Sequence, residues 1–184
     1  MPVNTTDRFD NALRRRGADH IMQRQLTPAY VLDPVRAALG GAIDLDPCTE
    51  PDNPTKARRF YTAVDDGLAH PWGWADSIYV NPPYGEAREA WVQRAIEYGA
   101  SGTPVVVLIP AHTDTRIFQA ALSTASALVL IKGRVKFGVL RDNGRQEAAS
   151  HPSALIGWNV DLHECAHLGH RVDLGTGSSE RGSG

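Results

Sequence analysis

The stretch IYVNPPYGEA, residues 78–87, ends an apolar, β-branched run with an amide, two prolines and a phenol. Proline fixes its own φ and keeps the residue before it extended, so Asn81 and Pro82 are each stiffened by the ring that follows. The tip offers two acceptors, the side-chain carbonyl of Asn81 and the main-chain carbonyl of Pro82, followed after Pro83 by the flat face of Tyr84. Two acceptors beside an aromatic face suit a planar amine. Such an amine is a poor nucleophile because its lone pair is delocalised. Accepting both of its hydrogens while the nitrogen pyramidalises returns electron density to it. Preorganised polar groups of this kind stabilise a transition state without a metal or a covalent nucleophile.

A tip of this sort works only on a scaffold that holds it. TPAYVLDPVRAALGG (27–41) opens with threonine before proline, carries Val31, Leu32, Val35 and Leu39 at helical spacing and closes on two glycines. It predicts a helix interrupted or restarted at Pro34. AIDLDPC (42–48) reads as a short strand ending in acids, and PVVVLIP (104–110) as a strand buried on both faces of a parallel sheet. Strand 78–81, a helix over 86–98 and strand 105–109 make a βαβ unit. A second unit follows, with TRIFQAALSTA as its helix and ALVLIKG (127–133) as its strand; SALIGW (153–158) closes the sheet after a polar excursion. The pattern is α/β, wound on a mostly parallel sheet with flanking helices. In such sheets ligands bind beyond the carboxyl ends of the strands, and DLDPC, NPPY, IPAHTDT and IKGRVKF all end strands in polar residues.

The chain has 184 residues with 42% apolar content, enough for one compact core. Residues 1–24, with Arg14, Arg15 and Arg16 in a row, read as a polar arm; 25–174 form a single domain; 175–184 form a flexible tail. A net charge of −2 advertises no global nucleic-acid field, so any such partner must be met by a local patch. No stretch reaches the roughly 20 apolar residues of a membrane span, and the two cysteines, Cys48 and Cys165, lie far apart in sequence, match no zinc spacing and fit a reducing compartment. These features predict a soluble cytoplasmic protein with no membrane association, and nothing in the sequence calls for an obligate protein partner.

The ordered set LTPAYVLDPV, DLDPCTEPDN, DDGLAHPW, YVNPPYG, LIPAHTDT and KGRVKFG, spanning Thr27 to Trp158, resembles the phage Dam-like DNA N-6-adenine methyltransferases. The resemblance implies a Rossmann-like methyltransferase fold, S-adenosylmethionine as donor and the N6 amine of adenine in DNA as acceptor, with the base flipped into a pocket. By resemblance, Thr27 and Pro28 border the methionine end of the cofactor. Asp46, Pro47 and Cys48 end the strand against which the donor lies, and Asp66 and Gly67 form the turn that receives its adenine. Asn81, Pro82, Pro83 and Tyr84 are the catalytic tip, with Tyr84 stacking on the base. Two departures stand out. No glycine-rich loop follows DLDPC, and the interval from Cys48 to Asn81 is too short for two full βαβ passes, so the fold is abbreviated there. The ribose-binding carboxylate is unidentified, with Glu50 and Asp52 as candidates.

Phosphate contacts are expected from Lys132, Arg134, Lys136, Arg141 and Arg145. HECAHLGH (163–170) lacks the second pair that tetrahedral zinc draws on and is read as no metal site. His112 and Asp114 are a possible hydrogen-bonded pair bordering the cleft. Rival readings are the same chemistry on cytosine N4, RNA adenine or a protein glutamine, a non-catalytic DNA-binding module, and a hydrolase using His112 and Asp114.

Overall fold

The computed structural model describes residues 26–83, 85, 87–138 and 146–175. In chain order the elements are α1 (Ala29–Ala38), β1 (Leu45–Asp46), β2 (Arg59–Phe60), β3 (Ile78–Val80), α2 (Arg88–Ala100), β4 (Val105–Pro110), α3 (Arg116–Thr124) and β5 (Ala127–Ile131). A ribbon of β6 (Lys136–Gly138) and β7 (Gln146–Ala148) follows, then β8 (Ser153–Trp158) and β9 (Gly169–Asp173). Seven strands form one sheet in the order β2-β1-β3-β4-β8-β5-β9. Strands β1 to β4 are mutually parallel, with Leu45 opposite Ile78 and Ile78 opposite Val105.

SALIGW was expected to close the sheet, but β8 lies inside it, antiparallel between β4 and β5, with Val107 opposite Ile156 and Val129 opposite Leu155. The edge is instead β9, which pairs antiparallel with β5. An apolar run with both faces buried specifies burial but neither its neighbours nor its direction. The helix over 27–41 was expected to break at Pro34, yet α1 runs through it unbroken. Its buried stripe of Val31, Leu32 and Val35 packs on the sheet and offsets the one backbone hydrogen bond that proline cannot donate.

Alternation along β4 divides the core into two layers. Val106 and Leu108 face α1 and the 3-10 turn His163–Leu168, whereas Val105, Val107 and Ile109 face α2 and α3. On the second face a Cβ at Gly99 would lie 2.4 Å from the Trp158 ring, so glycine lets α2 settle directly on that indole. Trp72 is fully buried against Trp91 and Tyr98 of α2, at centroid separations of 6.0 and 5.5 Å. This stack clamps the connection between β2 and β3 onto the helix, because a buried indole removes a large apolar area from water. That connection and the one before it contain no α-helix, only the 3-10 turn Gly67–Ala69, so the fold is abbreviated as expected. Among the described residues no helix is long and apolar enough to cross a membrane.

Candidate active site

Strand order places β2 on one side of β1 and β3 on the other, which makes the gap beyond the carboxyl ends of β1 and β3 the switch point of the sheet. Two cavities open there. The smaller, about 30 Å³, is lined by Leu26, Thr27, Asp46, Cys48, Thr49, Glu50, Pro54, Thr55 and Asn81. The larger, about 330 Å³, has Pro47, Cys48, Thr62, Asp66, Gly67, Pro83 and Trp91 in its walls. Cys48 lines both.

Asp44 and Asp46 alternate along the chain, and only Asp46 reaches the cavity. Asp44 instead accepts from the Asp76 amide at 3.0 Å and stands 3.9 Å from Arg58. Asp46 is 2% exposed; it accepts from the Cys48 amide at 3.1 Å and from the Thr55 hydroxyl at 2.8 Å. Those bonds compensate the cost of burying its carboxylate. Glu50 is also buried beside it on the small cavity, while Asp52 is exposed and lines neither space. Asp66 adopts a left-handed conformation, φ 52°, uncommon for a residue with a side chain. Next to it, a Cβ on Gly67 would fall 1.9 Å from the Pro47 carbonyl oxygen, so this turn lies directly on the DPC loop.

Asn81 is half-buried at the end of β3, and its amide nitrogen donates to Thr27 Oγ1 at 3.1 Å. The same hydroxyl pairs with Tyr79 Oη at 2.7 Å. Tyr79 and Asn81 share a face because side chains alternate along a strand, and Thr27 comes from the turn that starts α1. The Asn81 main-chain carbonyl accepts from Cys48 Sγ at 3.4 Å, which joins the tip to the DPC loop. The sequence placed Thr27, Asp46, Pro47, Cys48, Asp66, Gly67, Asn81 and Pro83 at a cleft, and all eight line one or other cavity. Pro28 lies a step back, as the residue from which α1 starts, and Pro82 is buried. Tyr84 lies outside the described residues. Tyr79, Thr55 and Trp91 were not singled out from sequence; the period-2 relation of Tyr79 to Asn81 was the available signal.

Lys132 and Arg134 are exposed just past β5, and Lys136 is exposed on β6. The Tyr30 hydroxyl accepts from the Lys136 amide at 3.3 Å, and a bridge between Leu26 and Gly138 ties the ribbon to the chain just before Thr27. Arg141 and Arg145 lie outside the described residues, as do Arg14, Arg15 and Arg16. His112 meets the ring of His151 edge-on at 4.6 Å and also feels the charge of Asp114. Cys165 packs in the core, where burial, reinforced by Glu164 and Asp161, pushes its thiol up to about 12.

No curated protein matches the chain. The family model described as DNA N-6-adenine-methyltransferase (Dam) matches residues 19–165, which contain both cavities and the NPPY tip. With its mixed α/β sheet and its cleft at the switch point, the chain belongs to the DNA N-6-adenine-methyltransferase (Dam) family and is a methyltransferase.

Proposed function

We propose that the chain transfers the methyl group of S-adenosylmethionine to the N6 amine of an adenine turned out of DNA into the space at the NPPY tip. The products are N6-methyladenine, S-adenosylhomocysteine and a proton. The observation that carries this reading is the Cys48 loop, which borders an acidic cavity holding Asn81 on one side and a larger, partly apolar one walled by Pro83 on the other. When bound, the donor supplies a methyl group already activated on a sulfonium. The residues present fit such a molecule. Asp46 and Glu50 suit an ammonium, and the larger space, walled by Pro83 and Trp91 and edged by Asp66, suits a purine nucleoside. This placement puts Glu50 at the amino-acid end of the donor and leaves Asp66 as the acidic group nearest the nucleoside.

Thr27 accepts from the Asn81 amide nitrogen, and that bond fixes the carboxamide so that its oxygen is the end presented to the target amine. Asn81 Oδ1 and the Pro82 carbonyl each accept one N6 hydrogen, which restores lone-pair density to the nitrogen as it becomes tetrahedral. Tyr84 stacks on the adenine and offsets part of the few kcal/mol that leaving the duplex costs. Lys132, Arg134, Lys136, Arg141 and Arg145 contact the phosphates.

Incubating plasmid DNA with methyl-labelled donor and digesting it to nucleosides tests the reading. Label in N6-methyladenine supports it; label in cytosine, or none in DNA, overturns it. Two finer outcomes are expected. Thr27→Val should lower kcat about tenfold, whereas Thr27→Ser should restore most of the rate; one hydrogen bond that orients the accepting carboxamide is worth about 1 kcal/mol or more. Thiol alkylation should reach Cys48 before the buried Cys165, and donor should protect Cys48, as peptide mapping by mass would show.

A further inference from the structure

Outside the two cavities, the carboxyl end of the sheet gathers a second set of groups able to carry positive charge. His112 follows β4, and its ring meets that of His151 at 82°, 4.6 Å between centroids. The two segments are tied together where the Ala111 amide donates to the Pro152 carbonyl at 2.8 Å. His151 is steadied by Ser150, whose Oγ lies 2.9 Å from its Nδ1. Arg134, from the loop before β6, donates to the Ser150 carbonyl. Arg88, in the first turn of α2, is close enough for its charge to act on His112. Arg88 also lines an open depression of about 530 Å³ with Gly85, Glu89, Thr115 and Ile117, and Gly85 follows the NPPY tip directly.

Separate segments therefore bring the two imidazoles together, with Arg88 near His112 and Arg134 on the Ser150 carbonyl beside His151. Positive groups gathered on one face raise the local concentration of anions there. Among the described residues, the acids beside them are Asp114, whose charge acts on His112, and Glu89 on the wall of the depression; both are exposed. We propose that His112 and His151, flanked by Arg88 and Arg134, form a phosphate seat that grips the phosphodiester backbone of the target strand beside the flipped adenine. The seat rests on the reading of DNA as the substrate.

The arrangement makes DNA binding proton-linked. His112 is held below the ordinary histidine range, first by burial and then by the positive charge of His151 and Arg88, with Asp114 opposing. A phosphate placed against the pair counters the repulsion and raises its proton affinity. Binding then takes up protons, and DNA affinity increases as pH falls from 8 towards 6.

The test is fluorescence anisotropy of a labelled, adenine-containing duplex titrated with the full chain at fixed ionic strength and a series of pH values. The parent should bind at least about threefold more tightly at pH 6 than at pH 8, within the tenfold per pH unit that one linked proton allows. H112Q/H151Q should lose most of that dependence while binding S-adenosylmethionine as the parent does. Arg134→Gln should weaken binding at every pH and leave the pH slope in place. His163→Gln, which alters an exposed histidine on the 3-10 turn, should behave as the parent. A pH slope retained in H112Q/H151Q overturns the seat alone. No DNA binding by the parent at any pH, with the donor still bound, overturns the DNA reading and the seat with it.

Discussion

Asn81→Ala is expected to lower kcat by about 10³-fold while changing the affinity for S-adenosylmethionine by no more than about threefold. Removing one preorganised polar contact to a developing charge costs about 10²–10³ in rate, and here the amide also orders its neighbours. Its nitrogen engages Thr27, which in turn pairs with Tyr79. The main-chain carbonyl that meets Cys48 survives the substitution, so the wall shared by the two cavities stays in place. Single-turnover methylation of DNA, with calorimetric titration of the donor, separates the two effects. A parental rate in Asn81→Ala would remove the tip from the mechanism; a lost donor affinity would make Asn81 a cofactor residue.

Gly67→Ala should damage the other half of the site. Its Cβ would sit 1.9 Å from the Pro47 oxygen, 2.9 Å from the Pro47 carbonyl carbon and 3.2 Å from the Trp91 ring. Two of these neighbours are backbone and cannot rotate away, so the turn carrying Asp66 must lift off the DPC loop. Overpacking of this kind costs about 1–3 kcal/mol, equivalent in a chain of this size to a fall in Tm of roughly 3–10 °C. Because both sides of the lifted contact line the larger cavity, donor affinity should fall at least about tenfold. Gly73→Ala is the control: its nearest neighbour would be Tyr98 Cε1 at 3.4 Å, an ordinary contact, and donor binding should be unchanged. Equal donor affinity in Gly67→Ala and the parent would show that the cofactor does not use this cavity.

Much of the site could be read from local chemistry because its residues terminate strands. Asp46 and Asn81 end β1 and β3 in the sequence itself, and a parallel sheet sends both to the same edge. The βαβ unit around α2 was equally legible, since the apolar run of β4 and the spacing of Trp91 and Ala95 leave few alternatives. What escaped depends on pairing across long stretches of chain. Thr27 reaches Asn81, and His112 reaches His151, through folds that no spacing rule encodes. Strand β9 was missed for a different reason. GHRVD, mostly polar, sits at an edge where only one neighbour is needed, so it has none of the apolar continuity of β4, and its first residues were absorbed into a histidine-rich motif.

The insertion of β8 has a consequence for biogenesis. Until the ribosome has delivered residues 153–158, β4 and β5 have no strand between them, and both present unpaired edges rich in valine and leucine. The nascent chain can form α1, β1, β3 and α2 early, but the sheet closes only near the end of synthesis, through contacts of large sequence separation. Premature termination before Ser153 would therefore release a chain with one edge of β4 and both edges of β5 unpaired and prone to self-association, whereas loss of only the segment after Gly175 would leave every strand of the sheet intact.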